Sequence, residues 1–444
     1  MSRSMLQRAA VHGYDAIGVG IDPVFLWMLR SFHFPSARLW AAANAAADHD
    51  AFVAGLPDAR RRRATNAAGR AAFNATRDVA ARTADATAAW REVVLEGGPG
   101  DACALETERR RAATGHLATA APLRVAIGRR GLTLVKWDMQ RQDCAPPPPT
   151  AFAAPADLDA VVAGPEFREG DLMRQWLSAP AETATPGDRS MARMSWPASG
   201  IPRCAIVVGS GVGVEWDQYV RIRRNFDFPA AFCALGFAVI EIVSPGHGLR
   251  RAPDRYGGEI FFAGAPISSA ALLVAQCRET ARMVAWLRAR WDMPTGLFGL
   301  SMSSFVAQLA LTHSAQWPDR ARPDGGFLMG HSGELIGVVR GRLAGALGIE
   351  RALREAGWTE DELMAWGQAL APGPAPMVPP GRIVSMIGYR DRVTPFRDGA
   401  ALTKAWGLPP ENQFHLPHGH LGLPTRLLLE PKPIARFAEV LTSA

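Results

Sequence analysis

The sequence predicts an α/β fold in which a mostly parallel central sheet is flanked by helices and follows a mainly helical N-terminal region. From residue 204 onward, short apolar runs of strand length alternate with longer helical patterns, which is typical of a parallel sheet covered on both faces. Residues 1–118, in contrast, are rich in alanine and arginine and carry few strand signals. At 444 residues, the chain is long enough for one large domain and a smaller appended region.

We expect the mainly helical region to span residues 1–150. Within it, residues 67–92 contain good helix formers and no proline, so they predict a long helix. Residues 123–127 and 132–137 lie on either side of a glycine-bounded turn and predict a β-hairpin. Consecutive prolines within residues 144–150 then indicate a linker.

The second domain is expected to span residues 151–444. Weakly alternating pieces between residues 166 and 197, including residues 191–196, predict antiparallel strands at the start of the sheet. Continuous apolar runs predict the other strands at residues 204–209, 237–243, 296–300, 326–330, 382–389 and 413–416. The clearest helices are residues 271–291, 302–312 and 434–441. Residues 334–370 have a helical pattern inserted between two strands, which indicates a lid over the site.

Composition and charge exclude several classes of protein. The sequence is 48% hydrophobic and 20% charged, which is the balance of a globular protein. Its formal net charge of +7 comes from scattered arginines, whereas nucleic-acid binding needs a clustered basic patch, so we expect no nucleic-acid partner. The cysteines lie far apart without a CxxC pair, which favours reduced thiols in the cytoplasm. They are Cys103, Cys144, Cys204, Cys233 and Cys277.

The most apolar N-terminal stretch, residues 14–34, does not predict a helix that spans a membrane. Asp15, Asp22 and Pro23 interrupt it, and no small-residue cleavage site follows a positively charged start. We therefore expect neither a signal peptide nor a spanning segment. The stretch is compatible with a short amphipathic segment that lies on a membrane surface or caps the fold.

A serine follows one of the predicted strands at the start of a predicted helix. Residues 297–303 read Leu-Phe-Gly-Leu-Ser-Met-Ser, which places Ser301 one position beyond the strand. A nucleophile on such a sharp strand-to-helix turn needs small residues two positions before and after it, because the backbone is crowded there. Gly299 and Ser303 meet this condition, although the usual pattern ends in glycine. An ordinary serine at the N-cap of a helix is the alternative interpretation.

An acid and a histidine follow Ser301 in the chain order that this kind of catalytic triad has. Asp391 lies two positions past the end of predicted strand 382–389, at the edge where the carboxyl ends of parallel strands assemble sites. A surface aspartate paired with an arginine is the alternative interpretation, and Asp398 is a weaker candidate for the acid. His420 lies in the loop after strand 413–416 and follows a glycine, so it is well placed to reach the serine.

Two other histidines compete with His420. His418 lies in the same loop, and His415 is expected to lie on the strand itself. Imidazoles can bind zinc, but no obvious carboxylate or cysteine partner lies near these three residues in the sequence, so we expect no metal.

An attacked carbonyl also needs N–H donors for the negative charge that develops on its oxygen. Where a nucleophilic serine lies between a strand and a helix, one donor is the backbone N–H of the next residue, here Met302. The other donor comes from the loop after an earlier strand. Residues 209–213 read Gly-Ser-Gly-Val-Gly, and the N–H of Val212 or Gly211 is the second candidate donor. A dinucleotide site would need a different glycine spacing and a downstream acidic residue, so this loop does not predict a nucleotide cofactor.

The glycine loop at 209–213, residues 244–248, the turn at 299–303, and Asp391 with His420 resemble the α/β-hydrolase superfamily. The resemblance covers roughly residues 195–444, and it implies the α/β-hydrolase fold and a serine hydrolase without a cofactor. Within it, a narrower set is similar to the group called α/β-hydrolase domain-containing protein eighteen. This set consists of Gly209, Ser210, Gly211, Trp216, Tyr219, Arg223 and Arg224, followed by the Leu-Ser-Met turn.

The residues and the resemblance predict one catalytic cycle. His420 takes the proton of Ser301 as the serine attacks a carbonyl, Asp391 stabilises the imidazolium, and water releases the acyl group. The expected partner is a small-molecule carboxylic ester, and we expect Met364 and Trp366 of the lid to line its pocket. Amide or thioester hydrolysis and acyl transfer use the same triad and stay open. A non-catalytic scaffold whose helical region binds a partner is the alternative from another class.

Overall fold

The computed structural model describes residues 11, 14–15, 21–128, 131–139, 145–185, 187–213 and 227–443. The N-terminal part of these ranges is helical, as predicted. Its helices are α1 (Ile21–Met28), α2 (Phe34–Ala45), α3 (His49–Ala54), α4 (Asp58–Ala64), α5 (Ala67–Val94), α6 (Ala102–Ala118) and α7 (Ala120–Ile127), with a π-helical turn (Leu29–His33) after α1. Asn66 and Asp101 begin α5 and α6, because their side chains accept N–H groups that the first helical turn leaves without partners.

Ten strands form one mostly parallel sheet within the described ranges. They are β1 (Val162–Ala163), β2 (Phe167–Glu169), β3 (Leu172–Pro180), β4 (Arg189–Pro197), β5 (Cys204–Gly209), β6 (Phe237–Ile242), β7 (Thr295–Leu300), β8 (Gly325–Met329), β9 (Ile383–Gly388) and β10 (Gln413–Leu416). The order across the sheet is β1-β3-β4-β6-β5-β7-β8-β9-β10, and β2 pairs with β3 outside this row. The strands up to β4 pair antiparallel, and the pairs from β6–β5 to β9–β10 are parallel.

Helices alternate with the parallel strands. They are α8 (Phe228–Cys233), α9 (Glu259–Ala263), α10 (Ile267–Arg290), α11 (Met302–His313), α12 (Leu335–Val339), α13 (Arg342–Leu347), α14 (Ile349–Glu355), α15 (Glu360–Ala369), α16 (Phe396–Ala405), α17 (Leu423–Leu429) and α18 (Lys432–Thr442). The predicted insertion at 334–370 is the run of helices from α12 to α15. Across the described ranges, we find no helix with the length and apolar character needed to cross a bilayer.

Both faces of the sheet are covered, which explains why its central strands are apolar without interruption. Every residue of β5, β6, β7, β8 and β9 is buried. Ala205 and Val207 of β5 belong to the core on the face of α10 and α11, whereas Ile206 and Val208 belong to the core on the face of α8 and α18. The predicted bounds of the parallel strands are right to within one residue at each end.

The predicted hairpin at 123–127 and 132–137 is wrong. Residues 120–127 form helix α7, in which Leu123 and Ile127 are buried one turn apart while Val125 is 76% exposed. Gly128 then ends the helix with a φ of 83°. None of the described residues 131–139 lies in a strand, and residues 129–130 lie outside the described ranges. The predicted linker at 144–150 begins outside them as well and leads into a 3-10 turn, Pro149–Phe152.

The helical region contacts the sheet through buried polar side chains. Glu106 of α6 accepts hydrogen bonds from Arg109 at 3.0 Å and from the indole N–H of Trp176 on β3 at 3.2 Å. The Arg109 guanidinium also lies 4.7 Å from the ring centroid of Trp90. Glu106 and Arg109 are 1% and 2% exposed, so this ion pair is buried between the helices and the sheet.

Candidate active site

The strand order reverses between β5 and β7. From β5 the chain continues to β6 on one side, and it returns to β7 on the other side. The helices that follow β5 and β7 pack on opposite faces of the sheet, and such a reversal opens a crevice at the carboxyl ends of the strands. The pairing of Gly209 with Gly299 makes the loop after β5 a neighbour of Ser301 after β7.

Ser301 occupies a strained turn between β7 and α11. Its φ of 56° and ψ of −115° are unusual for a residue with a side chain, and among the described residues it is the one non-glycine with positive φ. The Ser301 N–H donates to the Met329 carbonyl at 3.0 Å, and the Ser301 carbonyl accepts the Ser304 N–H at 2.9 Å. These bonds hold a sharp strand-to-helix turn from which the hydroxyl projects.

Ser303 fits at the last position of the turn because Gly209 leaves room for it. A Cβ at residue 209 would lie 2.4 Å from the Cβ of Ser303, and a Cβ at Gly299 would lie 2.5 Å from the Ser303 carbonyl oxygen. The Ser303 hydroxyl accepts the Leu300 N–H at 2.9 Å and donates to the Leu300 carbonyl at 3.1 Å. The serine therefore closes the turn instead of crowding it.

Ser301, His420 and Asp391 come together in one hydrogen-bonded chain. The Nε2 atom of His420 lies 2.8 Å from Ser301 Oγ, and its Nδ1 atom lies 2.7 Å from Asp391 Oδ2. When Nδ1–H donates to the carboxylate, Nε2 carries the lone pair that faces the hydroxyl. Asp391 and His420 are buried, whereas Ser301 is partly exposed. Asp398, the other candidate acid, pairs with Arg397 at 3.0 Å.

Thr394 is a member of this cluster that the sequence reasoning missed. Its hydroxyl lies 2.8 Å from Asp391 Oδ2 and 3.0 Å from His420 Nδ1. The N–H groups of Val393 and Thr394 both donate to Asp391 Oδ1, at 2.8 and 2.9 Å. An aspartate followed three positions later by threonine is the local signal for such a loop. The carboxylate is thus fixed by groups from its own loop.

The charges around His420 favour its protonated form. Burial alone would lower the pKa of His420, but the adjacent Asp391 carboxylate outweighs this effect and, with a smaller contribution from Asp22, raises the pKa above its ordinary value. A raised pKa makes Nε2 a stronger proton acceptor toward the hydroxyl of Ser301.

The other candidate histidines contact other groups. The ring of His415 on β10 lies 5.8 Å from that of Tyr389, centroid to centroid. His418 Nε2 lies 2.7 Å from Asp15 Oδ1, and its ring stacks on Tyr14 at 5.0 Å. Among the described residues, no three His, Cys, Asp or Glu side chains are grouped so that they could hold a metal ion.

His247 fixes the loop that contains Gly211 and Val212. Its Nε2 accepts the Gly213 N–H at 3.2 Å, and its Nδ1–H donates to the Pro245 carbonyl at 3.0 Å. Burial lowers the pKa of His247 to about 4, so the ring is neutral at neutral pH and keeps the lone pair that Gly213 needs. Residues 244–248 were predicted to be a motif, but without this role for the histidine.

The other predicted N–H donor is at the start of α11. Met302 is the first residue of this helix, directly after Ser301. The first N–H groups of a helix have no partner within it, and the helix dipole adds a partial positive charge there. The N–H of Met302 therefore has no acceptor within the helix, and it lies next to the residue whose hydroxyl projects from the turn.

An apolar cavity of about 60 Å³ lies between α9, α10 and the inserted helices. Trp366 lines it together with Ile336, Leu363 and Phe261. Met364, the other predicted lining residue, is 40% exposed and is not part of this wall. Of the two predicted lid residues, the structure places Trp366 at the cavity.

A larger cavity of about 190 Å³ lies where the helical region meets the ends of β5 and β6. The sheet contributes Ser210, Ser244 and His247 to its wall, and the helical region contributes Trp40 and Arg109. Ser210 directly precedes Gly211, so this cavity adjoins the loop of the candidate N–H donors. The helical region thus forms one wall of a space beside the candidate site.

No protein-family model matches the chain, and no curated protein matches it in sequence. Solved structures that are similar to it include a cold-adapted esterase from an Arctic intertidal metagenomic library, with 16% identity over 63% of this chain and 98% of that chain and a TM-score of 0.40. Acetyl xylan esterase 1 from a Thermoanaerobacterium species has 12% identity over 65% of this chain and 100% of its own, with a TM-score of 0.39. S-formylglutathione hydrolase from Agrobacterium tumefaciens has 13% identity over 62% and 98%, with a TM-score of 0.40.

The chain has the α/β-hydrolase fold, as predicted. Its own features show this: the antiparallel β4, the reversal between β5 and β7, and the positive-φ serine between β7 and α11. Of the residues that carry the narrower resemblance, the structure describes the glycine loop and the Leu-Ser-Met turn, whereas Trp216, Tyr219, Arg223 and Arg224 lie outside the described ranges.

Proposed function

We propose that this protein is a serine hydrolase that cleaves a small-molecule carboxylic ester through an acyl-enzyme intermediate. The supporting observation is the hydrogen-bonded chain from Ser301 Oγ through His420 to Asp391. The alternative of a capping serine lacks support, because the Ser301 side chain makes no capping hydrogen bond to α11. Residues 151–444 form the catalytic domain in this proposal, and residues 334–370 are its lid.

The reaction begins when His420 Nε2 takes the proton of Ser301 Oγ and the oxygen bonds to the ester carbonyl carbon. The N–H of Met302 and that of Gly211 or Val212 donate to the resulting oxyanion. His420 then gives its proton to the leaving alcohol oxygen, which breaks the ester bond and leaves the acyl group on Ser301. Water, activated by the same Nε2 atom, releases the carboxylic acid. The negative charge of Asp391 stabilises the imidazolium in both halves of the cycle.

The two cavities suggest how such an ester binds. The apolar cavity at Trp366 suits the acyl chain, because its wall consists of aliphatic and aromatic side chains. The larger cavity offers the hydroxyls of Ser210 and Ser244 beside the loop of the candidate donors, so it suits the alcohol portion. The preferred substrate is therefore an ester with an apolar acyl group and a polar alcohol.

A fluorophosphonate probe tests the proposal, because it reacts with an activated serine. We expect the purified protein to be labelled at Ser301, as located by peptide mass spectrometry, and the Ser301→Ala variant to be neither labelled nor active on p-nitrophenyl acetate. Thr312→Val is the matched control, since it removes a hydroxyl from the far end of the same helix, where that hydroxyl donates to the Gln308 carbonyl at 3.0 Å. It should still be labelled. An unlabelled and inactive wild-type protein would support the scaffold alternative, whereas a Ser301→Ala variant that keeps its activity would show that Ser301 is not the nucleophile.

A further inference from the structure

A carboxylate from the N-terminal region lies against the loop of His420. Asp22 of α1 accepts the backbone N–H of His420 at 2.6 Å with Oδ2, and that of Leu421 at 3.0 Å with Oδ1. These partners are 398 and 399 residues away in the chain. Asp22 is 8% exposed, so both hydrogen bonds are shielded from water.

Asp22 does for this loop what a capping side chain does for a helix. The turn His420–Gly422 follows Gly419, which has no side chain and makes no capping hydrogen bond. The N–H groups at the start of such a turn need an acceptor, and a carboxylate is a strong one. Asp22 supplies it from another part of the chain.

The glycine at 419 is needed for the approach of this carboxylate. Its φ of −88° and ψ of −176° suit any residue, so the backbone conformation does not require glycine. A Cβ at this position, however, would lie 2.2 Å from both Cγ and Oδ2 of Asp22. Gly419 and Asp22 therefore form a matched pair.

We propose that Asp22 is a positioning residue for His420, so that the N-terminal helix α1 completes the active site of the catalytic domain. The inference rests on the proposed function. Asp22 holds the backbone of the histidine at two adjacent N–H groups, while Asp391 and Thr394 hold its ring. Both supports are needed to keep Nε2 within hydrogen-bond distance of Ser301 Oγ.

The charge of Asp22 gives this role a signature in the pH profile. The titratable groups around the histidine are Asp391 after β9, Asp22 on α1, His331 after β8, and His418 with Asp15 and Arg426. His331 stays neutral because burial lowers its pKa to about 3. Burial outweighs the attraction of His420 and raises the pKa of Asp22. The Asp22 charge in turn raises the pKa of His420, so its removal must lower that pKa.

Asp22→Asn tests the inference, because it keeps the shape of the side chain and one acceptor oxygen but removes the charge. With p-nitrophenyl acetate, we expect kcat to fall by about 10- to 100-fold with little change in KM. The acid limb of the kcat/KM profile should move to lower pH. Asp50→Asn is the matched control, since it removes the same charge from an aspartate of the same region whose side chain is 94% exposed. The Asp50→Asn variant should keep the wild-type kcat and the wild-type position of the acid limb.

Gly419→Ala provides an independent test that does not depend on charge. In the wild-type background the new methyl group displaces the Asp22 carboxylate, so we expect kcat to fall by about tenfold or more. In an Asp22→Ala background the methyl group has room, and the double variant should be no slower than Asp22→Ala alone. Melting temperatures of all variants show whether they are folded.

The possible outcomes separate the two proposals. If the wild-type protein is not labelled at Ser301, the proposed function fails, and this inference fails with it. If Ser301 is labelled but Asp22→Asn keeps the wild-type kcat and acid limb, only the positioning role is overturned. Additive losses in the Gly419→Ala and Asp22→Ala pair would overturn it too, because they would mean that the two positions act separately.

Discussion

Mild acid should destabilise the folded protein through His247. Its pKa is about 4 in the folded state and about 6.5 in an unfolded chain, so between these values the unfolded state takes up a proton that the folded state excludes. The free energy of unfolding must therefore fall as the pH falls through this window. Each pKa unit corresponds to about 1.4 kcal/mol, so a change from about pH 7 to about pH 5 costs about 2 kcal/mol at this residue alone. Because His247 is 2% exposed, solvent screening does not reduce this value.

Urea unfolding of the wild-type protein and of His247→Gln at both pH values measures this contribution. The carboxamide oxygen of glutamine can accept the Gly213 N–H, but it does not titrate in this range. We expect the variant to be about 1 kcal/mol less stable at neutral pH, since the bond to the Pro245 carbonyl is lost. Its stability should then fall by about 2 kcal/mol less than that of the wild type on acidification.

The comparison isolates one histidine from the others. Burial also lowers the pKa of His116 and of His331, to about 4 and about 3, so both proteins share a background loss of stability in acid. Only the difference between the two proteins reports His247. Equal losses on acidification in wild type and variant would refute the reasoning, because they would show that His247 has the same pKa in the folded and unfolded chain.

Three further predictions concern the proposed chemistry. His420→Ala should lower kcat/KM for p-nitrophenyl acetate by about 10⁴-fold or more, and His415→Ala by less than about tenfold; similar losses in both would contradict the choice of base. Thr394→Val keeps the side-chain shape but removes the hydroxyl shared with Asp391 and His420, so kcat should fall by about 10- to 100-fold with KM little changed. An unaltered kcat would mean that Thr394 only closes its loop. Trp366→Ala should change the preference between short and long acyl esters by about tenfold or more, whereas the exposed Met364→Ala should not; identical chain-length profiles would exclude the apolar cavity as the acyl site.

The bounds of the parallel strands could be predicted closely because burial on both faces requires an uninterrupted run of apolar residues. Cys204–Gly209 is apolar up to its last residue, where glycine begins the loop, and the structure has the same bounds. Around residue 125, in contrast, the sequence fits two periods. Leu123, Val125 and Ile127 alternate like a strand, yet positions 123 and 127 are also one helical turn apart. The helix forms because it places both Leu123 and Ile127 in the core of the helical region.

The candidate site was predictable where its members follow strand ends in chain order. Ser301, Asp391 and His420 each carry such a local signal, and the structure brings them together. Asp22 carries none, because its contact with His420 spans 398 residues and the need for glycine at 419 exists only once the two segments meet. Met364 and Trp366 share one helical pattern, and only the packing of α15 shows which of them faces the cavity.

If the proposed function holds, the fit between Gly209 and Ser303 changes the sequence pattern by which a nucleophile turn is recognised. In the usual motif, the last glycine has no side chain and so avoids a clash within the turn. Here the last position is Ser303, and Gly209 of the neighbouring strand leaves room for its side chain. A search that requires Gly-x-Ser-x-Gly would miss this chain. A search that accepts serine at the last position when the neighbouring parallel strand of the sheet ends in glycine would find it. The same coupling constrains redesign, because a Cβ at residue 209 would lie 2.4 Å from the Cβ of Ser303 and 2.8 Å from Nε2 of the buried Gln276. Alanine at 209 therefore needs glycine at 303 and a change at Gln276.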